Sequence, residues 1–314
     1  MSNWFEPLES RQHLSATAHL APSANQLAFE QVAGTLTAQQ TLTLKNTGSA
    51  RLTITSISLG GADSGEFIVK GITGRRVTLG RGASIKLTIA FMPYAVAVSG
   101  ASLSVSSNDP LSPVTSIALR GLGAAGLYGE LEPSLQRVFQ TLQIPNNVGT
   151  SNPAVRNIDG LGPNDEVPLQ LMQKAGPGPV TVMPLAMFGF NTNPVATIGW
   201  TTHTTSLTAH PLFSVPNGSG QSLTPLAYGA VQFDPGAATF GLFSNWPSES
   251  HAAFTEDVLN PWYTLGNGHA VRAYPYKTPG GQIVPHAYVV AFEQGADPDF
   301  QDAVLLVQNV MPAV

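Results

Sequence analysis

Ile85-Lys86-Leu87-Thr88-Ile89-Ala90-Phe91 alternates large apolar residues with small or polar ones without a break, and Pro93 stops the run two residues later. A period of two places successive side chains on opposite faces of a pleated strand, so this stretch predicts a strand with one buried and one wet face, blunted by proline. Neighbouring segments carry the same rhythm. Leu42 and Leu44 sit among threonines, as do Leu52, Ile54, Ile57 and Leu59 among Thr and Ser, and Leu103 and Val105 alternate with Ser102, Ser104 and Ser106. Asn46-Thr47-Gly48 and Asn108-Asp109-Pro110 are turn chemistry between such runs, and Ile117, Leu119, Gly121 and Gly123 close the series. Seven or eight short strands in roughly a hundred residues predict an immunoglobulin-like sandwich over residues 26–123, with residues 1–25 as a tail and 124–130 as a linker.

Composition agrees with an all-β protein. Charged residues are only 11% of the 314, and Thr, Ser, Gly, Pro, Asn and Gln take their place, which suits short strands and turns better than long helices with Glu, Lys and Arg on their wet faces. A net charge of −5 with no Lys/Arg run excludes a row of phosphate contacts, and with it nucleic acid as a partner. The chain has no cysteine, which removes disulfides, thiolate metal sites and a Cys nucleophile. No apolar run approaches the roughly 20 residues of a membrane span, and the N-terminus lacks the apolar region of a secretory signal.

Several motifs carry resemblances. Gly34, Asn46-Thr47-Gly48, Leu52-Thr53-Ile54, Glu66-Phe67, Gly82 before the strand ending Phe91-x-Pro93, Ser107-Asn108-Asp109-Pro110 and Leu119-x-Gly121-x-Gly123 resemble the ASH-type (choice-of-anchor D-like) immunoglobulin-like family across residues 26–123. That resemblance implies a spacer or interaction module in an exported bacterial protein and brings no catalytic residues. Phe5-Glu6-Pro7-Leu8-Glu9-Ser10-Arg11-Gln12-His13-Leu14-Ser15 resembles the LEPR-x-LL leader of planctomycete surface proteins, with Ser10 and His13 departing from the pattern. Together they imply an extracellular or cell-surface location.

Beyond the linker, Pro133 suits a first helical turn, and Leu135, Val138, Phe139 and Leu142 recur at the spacing of one helix face. The expectation is a single helix packed on the β-rich domain that follows it. Runs around Val180–Val182, Ala230–Phe233, Ala238–Phe243, His269–Tyr274 and His286–Phe292 predict a second, larger sandwich over residues 131–314 with long loops.

Two features of that domain point to chemistry. Glu293, Asp297, Asp299 and Asp302 fall on one loop between two apolar runs, Ala287–Phe292 and Ala303–Val307, in an otherwise charge-poor chain. Close carboxylates supply the hard oxygen ligands that Ca²⁺ prefers, although the spacing is not that of an EF-hand and a solvated acidic hairpin is the alternative. The stretch from Val284 to Val310 also resembles the Asp-x-Asp-Tyr-x-Asp hairpin of exported bacterial β-sandwich domains, with Phe300 in place of Tyr; the resemblance implies calcium at these four residues. Aromatics gather in the last third: Trp246, Trp262, Tyr263, Tyr274 and Tyr276. They are candidates for a glycan-stacking face and equally ordinary core residues.

Enzyme motifs are missing. The seven histidines are scattered, and His203 and His210 lie in a Thr/Ser stretch that reads as a loop. Asn217-Gly218-Ser219-Gly220 lacks the pattern of a nucleophile elbow. Glu132, Asp165, Glu166, Asp234, Glu249 and Glu256 could form a glycosidase pair only at a separation that sequence does not show; Glu132 is explained by a helix start and Asp234 by a turn. The expectation is therefore a non-enzymatic surface protein that binds an extracellular glycan or a surface protein through a calcium-stabilised C-terminal domain. A purely structural component is the alternative, and a glycan hydrolase the third reading.

Overall fold

The computed structural model describes residues 16–35, 39–71, 76–127, 131–152, 158–161, 163–189, 196–203, 206–215, 221–247, 249–264, 269–295 and 298–313. The expected leader at Phe5–Ser15 lies outside them.

Among the described residues the first sandwich has nine strands: β1 (Leu20–Pro22), β2 (Gln26–Val32), β3 (Gln39–Asn46), β4 (Leu52–Gly60), β5 (Phe67–Lys70), β6 (Val77–Leu79), β7 (Ser84–Phe91), β8 (Val98–Ser107) and β9 (Val114–Ala124). One sheet has the order β1-β3-β7-β5 and the other β2-β9-β8-β4-β6, with β2 parallel to β9. Leu42, Leu44, Leu87, Ile89, Leu103 and Val105, the apolar half of each alternation, meet in the core between the sheets. The immunoglobulin-like expectation holds for this half. The tail differs from it: Leu20 is buried, and β1 pairs with β3. The carboxylate of Asp109, set by the Asn-Asp-Pro turn, accepts the Leu20 N–H at 2.9 Å and approaches His19 Nδ1 at 3.0 Å, so a turn from the far end of the domain holds the first strand.

The second half is an all-β sandwich with, among the described residues, one α-helix, α1 (Leu135–Leu142). After a small hairpin of β10 (Thr150–Asn152) and β11 (Ile158–Leu161) come β12 (Met172–Lys174), β13 (Val180–Met187), β14 (Ala196–His203), β15 (Leu207–Val215), β16 (Ser222–Leu223), β17 (Tyr228–Gly229), β18 (Gln232–Phe233), β19 (Phe240–Asn245), β20 (Ala253–Phe254), β21 (Val271–Lys277), β22 (Ile283–Phe292), β23 (Ala303–Gln308) and β24 (Val310–Pro312). A seven-stranded sheet runs β17-β15-β14-β19-β12-β24 with β20 beside β19; a six-stranded sheet runs β16-β13-β23-β22-β21 with β18 beside β13. The stretch expected to be a loop around His203 and His210 is instead the β14–β15 hairpin, with Trp200 opposite His210. The first half of β15 is largely exposed, and of its every-second apolar residues only Phe213 and Val215 are buried.

The two sandwiches share a third core. β22 and β23 send Val290, Phe292, Leu305 and Val307 into the core between the two sheets of the second half. Their alternate residues Val289, Ala291 and Val304 face the other way, against Leu135, Val138 and Phe139 of α1 and against Ala28 and Leu122 on the outer face of the first sandwich. The helix therefore lies between the domains rather than on the second alone. Phe139 meets Tyr274 edge to face, with ring centroids 5.4 Å apart.

Candidate functional site

The acidic loop joins β22 to β23 as the sequence indicates, with Phe292 opposite Ala303. Three of its carboxylates are withdrawn from solvent: Glu293, Asp299 and Asp302 are buried. Both oxygens of Glu293 accept backbone amides, Oε1 from Gly295 at 2.6 Å and Oε2 from Asp299 and Phe300 at 3.1 Å each. Asp302 Oδ2 accepts the N–H groups of Gln294 at 2.5 Å and Gly295 at 3.2 Å. Charged acceptors form the stronger class of hydrogen bond, so these carboxylates fold the loop over themselves. Phe300 sits in the left-handed region at φ 56°, a conformation a bulky residue adopts only when its surroundings impose it. Here the imposing contacts are its N–H bond to Glu293 and the Arg272 guanidinium, 4.3 Å above its ring centroid.

Arg272, buried on β21, is the guanidinium of this region, and it also bonds Glu166 at 3.0 Å. Glu132 is not a helix-start charge: it is buried and accepts from the side-chain amides of Gln221 and Gln301, the latter at 3.1 Å. Gln301 also donates to Asp299 at 2.6 Å, which ties the segment entering α1 to the C-terminal hairpin. Among the described residues, no three His, Asp or Glu side chains come together closely enough to hold a metal ion. Asp297, the fourth carboxylate of the expected calcium set, lies outside the described residues.

The aromatic candidates separate. Trp246 is buried in the core of the second sandwich against the backbone at Gly189, and Tyr274 is buried beside α1. Tyr276 is half-buried on the same side. Tyr263 is buried too, its ring 6.3 Å from that of Phe300. Burial first, then the charges of Glu293, Asp299 and Asp302 against the opposing pull of Arg272, push its hydroxyl well above the ordinary tyrosine range. Trp262 is half-buried and stacks on His251 with centroids 3.6 Å apart. These two rings wall a cleft of about 530 Å³, lined also by Glu249, Tyr263, Thr264 and Gln294. The structure thus brings Trp262 and Tyr263 to the acidic hairpin and leaves Trp246 and Tyr274 in cores.

The residues passed over in the sequence are Arg272, His251 and Gln294. A single arginine inside an apolar strand of a charge-poor chain, upstream of an acidic loop, is a legible signal for the first. Nothing local marks the other two.

No family model matches the chain, and no curated protein matches it in sequence. Among solved structures, an ASH/PapD-like domain of human CEP192 is 15% identical over 40% of this chain and 96% of its own, with a TM-score of 0.27. The Escherichia coli chaperone DraB is 12% identical over 73% and 93%, with a TM-score of 0.28. The secreted serine protease VesC of Vibrio cholerae is 9% identical over 96% and 51%, also at 0.28. Likenesses at these scores carry no argument about function, and the immunoglobulin-like assignment rests on the sheets themselves.

Proposed function

We propose that the protein is a non-enzymatic, extracellular or cell-surface binding protein whose second sandwich takes a hydroxyl-rich ligand of the glycan class in the cleft beside the acidic hairpin. The observation that carries this reading is the Trp262–His251 stack at an open cleft whose other walls are carboxylate, hydroxyl and amide groups. An aromatic wall takes the apolar face of a sugar ring while Glu249 and Thr264 offer polar groups to its hydroxyls. Calcium enters as a brace for the hairpin. Glu293, Asp297, Asp299 and Asp302 gather on one hairpin of a charge-poor chain, and close carboxylates are the hard oxygen ligands that a divalent cation takes.

The test is a glycan-array screen of the full chain and of Trp262→Ala, in millimolar calcium and again in EDTA. Binding to a defined glycan class that Trp262→Ala abolishes is the expected result; silence in both buffers overturns it. A second reading, a structural surface component without a glycan ligand, draws on the burial of Trp246, Tyr263 and Tyr274 and on the open edge of β5, where Ile68 is 37% exposed. It predicts array silence together with self-association in light scattering.

A further inference from the structure

The joint between the two sandwiches is lopsided. Among the described residues, the first sandwich gives only Ala28 of β2 and Leu122 of β9 to the buried core it shares with the second, which adds Leu135, Val138 and Phe139 of α1 and Val289 and Val304 on the outer faces of β22 and β23. Each sandwich also has a core of its own between its own sheets. Separating the two at this joint therefore exposes little apolar surface and costs much less than unfolding either one.

Glu30 sits in that joint. It lies two residues from Ala28 on the same face of β2, opposite Leu122, and it is buried. Its Oε1 has no hydrogen-bond partner among the described residues. β2 carries no other charge. The elements around it offer Arg120 on β9, Lys86 on β7, Arg137 on α1 and Glu132 ahead of α1; β8 and β16 carry none, and the second sandwich adds the titratable Tyr263 and Tyr274 to the shared core. None of these offsets the burial of the carboxyl. Arg120, opposite Ala28 on the same strand pair, turns its guanidinium toward Gly100 of β8 instead. A lone carboxyl in such a place is tolerated as the neutral acid and costly as the anion. Water reaches it when the joint opens, so ionisation favours the open form.

We propose that this joint is a pH-sensitive latch, shut while Glu30 keeps its proton and loosened when the carboxylate forms, with both sandwich cores intact in the open form. Burial in the closed joint pushes the carboxyl from 4.5 to about 8. A group whose closed-state value is the higher one favours closure fully below the ordinary carboxylate range and loses that contribution as pH rises through the closed-state value. The opening constant thus rises roughly several hundredfold between about pH 5 and about pH 9 and levels off above. Once uncovered, α1 with its 8 residues and β2 at the edge of its sheet have little to keep their backbone hydrogen bonds from fraying.

The experiment is native-state amide hydrogen exchange of the full chain between about pH 5 and about pH 9, in low concentrations of urea and beside Glu30→Gln, with each rate corrected for the base catalysis of exchange itself. Amides of β2 and α1 are expected to exchange through an opening that depends little on urea, because little surface is exposed, while those of β7 and β23 wait for the urea-sensitive unfolding of a core. In the unaltered chain the protection of the β2 and α1 amides should fall roughly several hundredfold across the range, and in Glu30→Gln it should stay within about threefold. Protection that does not change with pH would mean that the carboxylate finds a partner, Arg120 for one, inside a joint that stays shut, and would overturn the latch. So would an equal urea dependence for joint and core amides, which would make the opening an unfolding, or an equal pH dependence in Glu30→Gln, which would assign the titration to another group. If Glu30→Gln does not fold, the urea and pH series of the unaltered chain decide the matter alone.

Discussion

Glu30 is the sharpest anomaly of the molecule and yields its most quantitative prediction. It lies on β2 between Phe29, which faces the first core, and the interface formed with α1 and the second sandwich. Its strand partner is Leu122 and its neighbour on the same face is Ala28, and both belong to the interdomain core. The side chain is 6% exposed, and Oε1 has no hydrogen-bond partner among the described residues. The charged groups on the elements around it are Arg120 on β9, Lys86 on β7, Arg137 on α1 and Glu132 before it; β16 carries none. None of these offsets burial, which alone pushes the Glu30 carboxyl from 4.5 to about 8.

A carboxyl whose folded pKa exceeds its unfolded one favours the folded state fully only below the unfolded value, and that stability drains away as pH rises to the folded value. Between about pH 5 and pH 9 the loss is on the order of 4 kcal/mol, at about 1.4 kcal/mol per unit of pKa difference. Glu30→Gln keeps the shape and removes the titration. Urea unfolding of both proteins across this range should show the unaltered chain losing about 4 kcal/mol more than Glu30→Gln. Comparing the two cancels the histidines, which titrate in both. Curves that run parallel to within about 1 kcal/mol would show that Glu30 is solvated or paired in solution, and the dry interface would be refuted.

Other outcomes follow from single contacts. Phe139→Ala empties a fully buried site shared by both domains and should cost about 3–5 kcal/mol in urea unfolding; a loss under about 1 kcal/mol would mean that the helix is not clamped. For Asp109, burial alone would raise the carboxyl, but the N–H groups of Leu20, Leu111 and Ser112, and then His19, outweigh it and hold it below the usual aspartate range. Its stabilising share is therefore present above that range and lost in acid, so Asp109→Asn should cost roughly 1–3 kcal/mol at neutral pH and little below about pH 3, read from the same unfolding curves. If calcium braces the hairpin, thermal melts in millimolar calcium should lie above those in EDTA by mass action, and Asp302→Asn should erase the difference. Superimposed melts would remove calcium from the proposal.

Period-two alternation made the first sandwich legible because its core strands each bury one face, as Leu87 and Ile89 do between Thr88 and its neighbours. The second half hid more for the same reason. β22 and β23 read as unbroken apolar runs, Val289-Val290-Ala291-Phe292 and Ala303-Val304-Leu305-Leu306-Val307, which mark strands covered on both faces. Taken at their physical meaning, those runs already required another layer beyond the sandwich, and α1 with Ala28 and Leu122 of the first domain is that layer. The acidic hairpin was legible as a hairpin because apolar runs flank it, but its state was not. Whether carboxylates face water, metal or amides depends on which N–H groups the loop turns inward, and that is set by contacts as distant in sequence as Glu132 to Gln301 and Arg272 to Phe300. The same dependence separates the aromatics: Trp246 and Trp262 are equally suitable for stacking a sugar, and only the packing of Gly189 against one and the stacking of His251 on the other decides which ring lines a cleft.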